Sequence, residues 1–476
     1  MQPVRIDQAV FTSASNTRGE GYRIVAASAG ITPDERRAIQ TCAPSHGGLS
    51  SDEPDSVSVG FLPLPSGRLC VMHSINAGME QTGRGGRRVY THLLVFDDGD
   101  FAAFAYNPFH VLRLADQVGA LTPNPKATGT LEPLDLTPEP DACAATKVAA
   151  GIENVDPARM RDCVERLLAG RKLVLSAPNN ACELAEALWL GLPAPQRASI
   201  SFATGLKFSL SRGLTLNFID PDNAPNPRFL RGPGIERIDL AEPVAKPAPD
   251  DRTWGAMVEL LWKYHALDDL ITISSSRQLA SAADTLDRTI DLTLDAHAVL
   301  RADLQTVITL CTKHAGTAPY SQIEGEVLEW FWIRVGKRLV EIWPTPQDDA
   351  ARTDWHVLSE LPHRNPLVPG LIADSLKTLL NRLAEHDAFD AVASALVLAQ
   401  EPRNPWDDVL KQCEPNLLKR LVVWATKPDP DADIAHRISR CLKLAEEWQS
   451  ARGASAHAVS AVTTLRSRLN LSDVQA

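Results

Sequence analysis

The stretch Tyr22–Thr41, YRIVAASAGITPDERRAIQT, passes from a β-prone run to a helix start within ten residues. Thr32 is a favourable N-cap, Pro33 fits the first helical position, and Glu35 is placed to close a capping box. We therefore predict that the first six residues form a strand and that a helix runs from Pro33 to the end of the stretch. A strand followed at once by a capped helix is typical of a mixed domain.

Further β-prone runs surround this stretch at 4–11, 57–64, 68–75 and 88–96. The three-residue break Pro65-Ser66-Gly67 between two of these runs favours an antiparallel hairpin. A second helix is predicted to follow Pro108, because proline fits the first helical turn. Together these signals predict an antiparallel α+β domain over residues 1–121.

The remaining chain divides by composition into three parts. The Pro-rich stretch 122–147 is predicted to be a linker, because proline removes backbone donors and fixes φ. Helix-like runs alternate with strand-like runs at 172–176, 198–203 and 214–219, which predicts a small α/β middle domain over 148–240. From 251 to 476 the apolar residues recur at helical spacing, as at Leu376, Leu379, Leu380 and Leu383, which predicts an all-α helical bundle or irregular solenoid. The fold class of the whole chain is therefore predicted as α+β.

Composition and charge exclude several classes of protein. The chain has 476 residues, 48 Lys and Arg against 59 Asp and Glu, and a net charge of −11. Such an acidic protein is a poor general binder of nucleic acid, because affinity for phosphate backbones comes mainly from basic side chains. The longest apolar stretch is too short to cross a bilayer, so no membrane span is predicted. Eight cysteines without a Cys-x-x-Cys pair, and a beginning without an apolar signal region, predict reduced thiols in a cytoplasmic protein.

Sequence motifs for well-known chemistries are missing. The chain has no G-x-x-x-x-G-K-[ST], so it is not a P-loop NTPase, and it has no H-E-x-x-H or G-x-S-x-G. We therefore predict no metal site, no cofactor and no catalytic residue, with His92 as the one weak catalytic candidate.

The most unusual local feature is the Gly/Arg loop, Gly83-Arg84-Gly85-Gly86-Arg87-Arg88, between two predicted strands. Glycines let a backbone approach a ligand closely, and arginines match phosphate or carboxylate groups with two hydrogen bonds. Gly83, Gly85, Arg84, Arg87 and Arg88 are therefore predicted to bind a partner or an anion. The competing interpretation is a flexible hairpin tip with solvated charges.

His92 lies in the strand that follows, where alternation places it on the same face as Tyr90 and Leu94. A histidine in such a position is more often a hydrogen-bonded core residue than a catalyst. An enzyme that uses His92 with the arginines of the Gly/Arg loop to process a phosphate ester or another hydrolysable substrate stays open as an alternative.

The N-terminal residues resemble the bacterial GTPase-associated protein family, in its first type with the second variant of the N-terminal domain. The resemblance lies in Ile6–Ser13, in Gly21–Ile31, in the Gly-Arg element at Gly83, in the aromatic-x-His strand at Tyr90, and in Asn107-Pro108-Phe109. The segments 172–176 and 192–204 are similar to the middle domain of that family. The two arginines added at Arg87 and Arg88 depart from the family pattern of the Gly-Arg element.

The resemblance implies an adaptor or regulatory component of a bacterial multi-protein conflict, defence or signalling system. Its implied partners are proteins, among them a GTPase or another NTPase encoded nearby, and the resemblance carries over no catalytic residue. Two alternatives stay open beside this one: the hydrolase with His92, and a structural scaffold in which the helical part drives oligomerisation.

Overall fold

The computed structural model describes residues 2–16, 19–80, 86–124, 126–141, 143–176, 181–220, 234–242, 244, 252–280, 283–342, 368–385, 407–426, 442–443, 446 and 456–468. The chain forms two compact units, Met1–Asp287 and Arg288–Ala476. The first combines a sheet with helices and the second is helical, so the predicted α+β class is confirmed. The four-part division of the chain stays a prediction, because contacts alone do not show which segments fold independently.

Among the described residues, eleven strands form one mixed sheet. They are β1 Val4–Asn16, β2 Gly19–Ala27, β3 Val57–Pro63, β4 Leu69–Met79, β5 Arg87–Phe96, β6 Gly129–Thr130, β7 Leu134–Leu136, β8 Lys172–Ser176, β9 Phe202–Ala203, β10 Leu216–Ile219 and β11 Ile235–Asp239. Their order is β11-β8-β10-β9-β3-β4-β5-β1-β2-β6, and β7 pairs with β1.

The sheet has an antiparallel part and a parallel part. Strands β1 to β5 pair antiparallel with one another, and β8 to β11 form the parallel part. The two parts meet where β3 pairs with β9, through Gly60 with Ala203 and Phe61 with Phe202. The predicted N-terminal and middle segments therefore share one sheet.

Eight α-helices accompany this sheet in the described part of the first unit. They are α1 Pro33–Cys42, α2 Pro108–Gln117, α3 Ala144–Ile152, α4 Pro157–Leu168, α5 Ala181–Leu190, α6 Ala194–Arg197, α7 Trp254–Lys263 and α8 Leu267–Ser274. The capping box predicted for α1 is confirmed, because the Thr32 hydroxyl accepts from the Glu35 amide and the Glu35 carboxylate accepts from the Thr32 amide. The Trp254 indole donates to the carbonyl of Gly191, just beyond α5, at 2.7 Å, and so ties the start of α7 to the end of α5.

Two sequence predictions differ from the structure in detail. The strand predicted over 198–203 is limited to Phe202–Ala203, because the amides of Ser199 and Ile200 continue the turn of α6. The Pro-rich stretch 122–147 contributes β6 and β7 to the sheet edge, where short extended segments pair without long hydrogen-bond ladders.

Alternation along the strands gives the antiparallel part of the sheet two different faces. The α1 face is apolar and packs Phe11, Met72 and Leu93 against Ile39 and Cys42 of α1. The opposite face, which we call the α2 face, carries Val59, Phe61, His73 and His92 and is covered by α2 and α5. Contact between the rings of Phe61 and Trp189, at 4.9 Å, fixes α5 on this face.

The turn between β2 and α1 closes the rim of the α1 face. The Ser28 hydroxyl accepts from the Gln8 amide at 3.0 Å and so ties the end of β2 to β1. Gly30 packs directly against the Asp7 carboxylate, which leaves no room for a side chain. Arg68 donates to that carboxylate at 2.7 Å and holds it in place.

The described part of the second unit is helical. Helices α9 Ala283–Val299, α10 Leu304–His314 and α11 Gln322–Ile342 are followed by Val368–Glu385, Asp407–Thr426 and Ala456–Arg468. From α10 onward each of these helices packs on the next along the chain, as in an irregular solenoid. Two neighbouring aromatic side chains of α11, Phe331 and Trp332, are fully buried.

Candidate functional site

The candidate site is built around the start of α2, where the chain passes through Asn107-Pro108-Phe109. The side-chain oxygen of Asn107 accepts a hydrogen bond from the Phe109 amide at 3.1 Å and so caps the helix. The two preceding residues, Ala105 and Tyr106, adopt left-handed backbone conformations with φ near 52° and 53°. Such strain persists only where the surroundings hold it.

Two side chains of the middle segment hold this strained turn. The Trp189 indole donates to the Tyr106 carbonyl at 2.7 Å, and the Arg197 guanidinium donates to the Ala105 carbonyl at 3.1 Å. The side-chain amide of Asn107 donates to Glu186 of α5 at 2.7 Å. The beginning of α2 is therefore fixed by residues more than 75 positions further along the chain.

Arg113 extends this junction one turn further along α2. Its two terminal nitrogens donate to the two carboxylate oxygens of Glu186, at 2.7 and 3.0 Å, and one of them also bonds Asp141. Burial alone would lower the pKa of Arg113, but the two carboxylates outweigh it and raise that pKa. Arg113 is thus a permanently charged and firmly oriented group.

Beside Arg113 lies an open cavity of about 280 Å³, which we call the α2 cavity. Its walls come from α2, α3, α5 and the neighbouring strands β3 and β4. The residues lining it are Val57, Val59, His73, Phe109, Leu112, Arg113, Asp116, Leu121, Lys147, Cys182, Glu183 and Glu186. An apolar cavity with a few convergent polar groups is the usual form of a ligand site.

The polar groups of the α2 cavity have an excess of negative charge. Arg113 is matched by Glu186 and Asp141, and Lys147 is matched by Glu183 at 3.6 Å. Asp116 is exposed at the rim and adds a further carboxylate. Burial lowers the pKa of His73, so its imidazole is neutral at neutral pH.

Cys182 places a thiol in the same cavity as a histidine and a carboxylate, which are the residue types of a cysteine nucleophile. Its sulfur is 3.3 Å from the Thr204 hydroxyl, and burial raises the pKa of the thiol. A reactive cysteine needs a lowered pKa and an adjacent base. The surroundings of Cys182 therefore favour a protonated, unreactive thiol.

The Gly/Arg loop is described only in part, since Gly83, Arg84 and Gly85 lie outside the described residues. Its base is closed by a hydrogen bond from the Glu80 amide to the Gly86 carbonyl. Arg88 is buried in the sheet and donates to the Ala77 carbonyl at 3.2 Å, whereas Arg87 is half-buried at the start of β5. The binding role of these arginines stays a prediction.

His92 lies within the sheet, behind the cavity. Its Nε2 is 3.0 Å from the side-chain oxygen of Gln8, and it pairs across the strands with His73. Burial lowers the pKa of His92 to about 4, and the neighbouring His73 adds to this effect. Arg88 is four residues away along β5, a distance of roughly 13 Å, so the two side chains do not form one site. The catalytic role of His92 also stays a prediction.

Sequence reasoning did not identify the α2 cavity. One signal was present, because Phe109, Leu112, Arg113 and Asp116 recur at the spacing of one helix face. The contributions of His73 and Cys182 follow only from tertiary packing.

Comparison with known proteins gives one family match. Residues 5–137 match the model of GTPase-associated protein 1, N-terminal domain type 2. No curated protein and no solved structure matches the chain. None of the described helices is long and apolar enough to cross a membrane, and no group of described side chains could hold a metal ion. The match covers β1 to β7, including the Asn107-Pro108-Phe109 turn, and confirms the resemblance seen in the sequence: residues 5–137 are similar to the type 2 N-terminal domain of GTPase-associated protein 1.

Proposed function

We propose that the chain is a non-catalytic adaptor in a bacterial multi-protein conflict, defence or signalling system and associates with a GTPase or a related NTPase. The observation that carries this proposal is the GTPase-associated N-terminal domain over residues 5–137. In this proposal the sheet-containing unit receives the NTPase and the helical unit docks a further protein.

The joined sheet supports a single receiving surface in the first unit. Because β3 pairs with β9 and Arg113 binds Glu186, the family domain and the segment that follows it are held rigidly together. A partner that contacts the family domain therefore meets a preformed surface, which lowers the entropy lost on binding.

The chemistry of the nucleophile candidates supports a role without catalysis. The Cys182 thiol is bonded to Thr204, and burial raises its pKa. The His92 imidazole is bonded to Gln8 inside the sheet. These surroundings support structural roles for both side chains.

The test uses the full-length protein and the GTPase encoded beside its gene, both purified. We expect a complex by size-exclusion chromatography and calorimetry, with at least tenfold different affinity for the GDP-bound and GTP-analogue-bound GTPase. Absence of binding in both nucleotide states would overturn the proposal. Self-association of the chain, measured by light scattering, without GTPase binding would favour the scaffold alternative.

The Gly/Arg loop is tested in the same assay with the double variant Arg84→Glu/Arg87→Glu. Arg88 is left unchanged because it is buried, and its reversal would disturb the sheet. If the loop binds the GTPase, charge reversal should weaken the complex at least tenfold. The matched control is Arg5→Glu/Arg37→Glu, which reverses two exposed charges elsewhere in the same domain. Equal binding by both variants would show that the loop is only a turn.

A further inference from the structure

The α2 cavity has the size of a small ligand site. Its volume of about 280 Å³ is just below the range of about 300–1,000 Å³ that is usual for pockets of drug-sized ligands, so it suits a smaller molecule. Apolar side chains, including Val59, Phe109 and Leu112, share its lining with charged side chains and His73. This mixed lining suits a ligand with an apolar body and one polar end.

Charge decides the nature of that polar end. The two cations of the lining, Arg113 and Lys147, already have carboxylate partners. The Asp116 carboxylate makes no hydrogen bond or ion pair with a described side chain; it stands at the rim, close enough to His73 that its charge partly offsets the lowering of that imidazole's pKa by burial. Counting Asp141 behind the wall, two positive side chains face four carboxylates, so the cavity favours a cation.

The other polar groups accept the same kind of ligand. The neutral His73 imidazole offers a nitrogen lone pair to an N–H donor. The ring of Phe109, which stacks on Phe202 at 5.4 Å, adds the aromatic surface over which cations bind well.

We propose that the α2 cavity binds a small organic cation, an ammonium or guanidinium group on an apolar or aromatic body, with Asp116 as its counter-ion. The family domain supplies α2 and the strands, and the following segment supplies α3 and α5. The bound ligand therefore contacts both parts of the junction. This site is independent of whether a GTPase partner exists.

The experiment compares three probes of nearly equal shape on the full-length protein by calorimetry. Phenethylamine carries the cation, 2-phenylethanol is neutral, and 3-phenylpropionate carries the opposite charge. We expect phenethylamine to bind at about millimolar concentration or better and at least tenfold more tightly than the other two. Equal or tighter binding of the anion, or no binding of any probe, would overturn the proposal.

Two variants locate the binding. Asp116→Asn should weaken phenethylamine binding at least tenfold, whereas Asp34→Asn removes an equal charge from α1 and should leave it unchanged. Val57→Trp fills the mouth of the cavity at a residue that is 40% exposed, and it should abolish binding in a folded protein. Circular dichroism confirms the fold of each variant. Unchanged binding in both Asp116→Asn and Val57→Trp would show that the probe binds elsewhere.

Discussion

The two faces of the antiparallel sheet are packed differently. The α1 face is a closed apolar core, and the charged side chain at its rim, Arg68, is bonded to Asp7. The α2 face buries His92, leaves His73 half-buried, has the ion-paired Arg113 above it, and opens into a cavity.

This difference separates structural residues from candidate functional ones. Burying a polar group costs free energy unless it is hydrogen-bonded, and an apolar core avoids that cost. The family-like residues Ser28 and Gly30 lie at the α1 face and hold a turn closed. The polar and strained groups lie over the α2 face. Departures from local folding rules of this kind are expected at functional sites.

The largest effect is expected at Arg197, in the helical layer over the α2 face. This side chain is fully buried, and all five of its N–H donors bond neutral acceptors: the carbonyls of Ala105, Leu190 and Leu192 and the hydroxyls of Ser274 and Ser275. Arg197→Met leaves those carbonyls buried without donors. We expect the free energy of unfolding, measured in urea, to fall by about 4 kcal/mol.

The control for this prediction is Arg37→Met, at an exposed arginine of α1. It should change the free energy of unfolding by less than about 0.5 kcal/mol. A loss below about 1 kcal/mol in Arg197→Met would mean that the helices over the α2 face do not depend on this residue.

The second effect is a dependence of stability on pH that comes from the α2 face. Burial lowers the pKa of His92 to about 4, below the usual value of about 6.5 in an unfolded chain. Between these values the unfolded chain binds a proton that the folded chain does not, so the free energy of unfolding falls as the pH falls. The loss from this residue at pH 4.5 is about 2–3 kcal/mol.

The variant His92→Gln removes this titration while keeping a polar side chain near Gln8. Urea unfolding at pH 7 and pH 4.5 should show a drop in the free energy of unfolding that is about 2–3 kcal/mol smaller in the variant than in the natural protein. Equal drops in the two proteins would mean that His92 is protonated without cost in the folded state. Titrating groups that do not interact with His92 are shared by the two proteins and cancel in the comparison.

The predictable parts of the fold depend on local chemistry. The capping box of Thr32 and Glu35 determines the start of α1, and Pro65-Ser66-Gly67 forms the turn between β3 and β4. The position of β9 depends instead on tertiary contact. This strand has only two residues, too few to show an alternation of apolar and polar side chains, and it pairs with a strand about 140 positions earlier. Local signals therefore predicted the antiparallel part of the sheet and missed its junction with the parallel part.

The candidate site was harder to predict for the same reason. Alternation correctly placed His92 on one face with Tyr90, but its partner Gln8 is 84 residues away. The α2 cavity joins His73, Asp116 and Cys182 from three separate elements. Sequence spacing identifies one helix face and cannot show what packs opposite it.

The smallest effect is expected on the α1 face, at Gly30. The new methyl group of Gly30→Ala would overlap the Asp7 carboxylate, which Arg68 holds in place, so this ion pair must shift. We expect a loss of about 1–2 kcal/mol in the free energy of unfolding. Gly99→Ala, where the added methyl meets open space, should change it by less than about 0.5 kcal/mol. If the two faces are independent, Gly30→Ala should bind phenethylamine as the natural protein does. Weaker binding in the folded variant would instead show that the rim of the α1 face and the α2 cavity are coupled through the sheet.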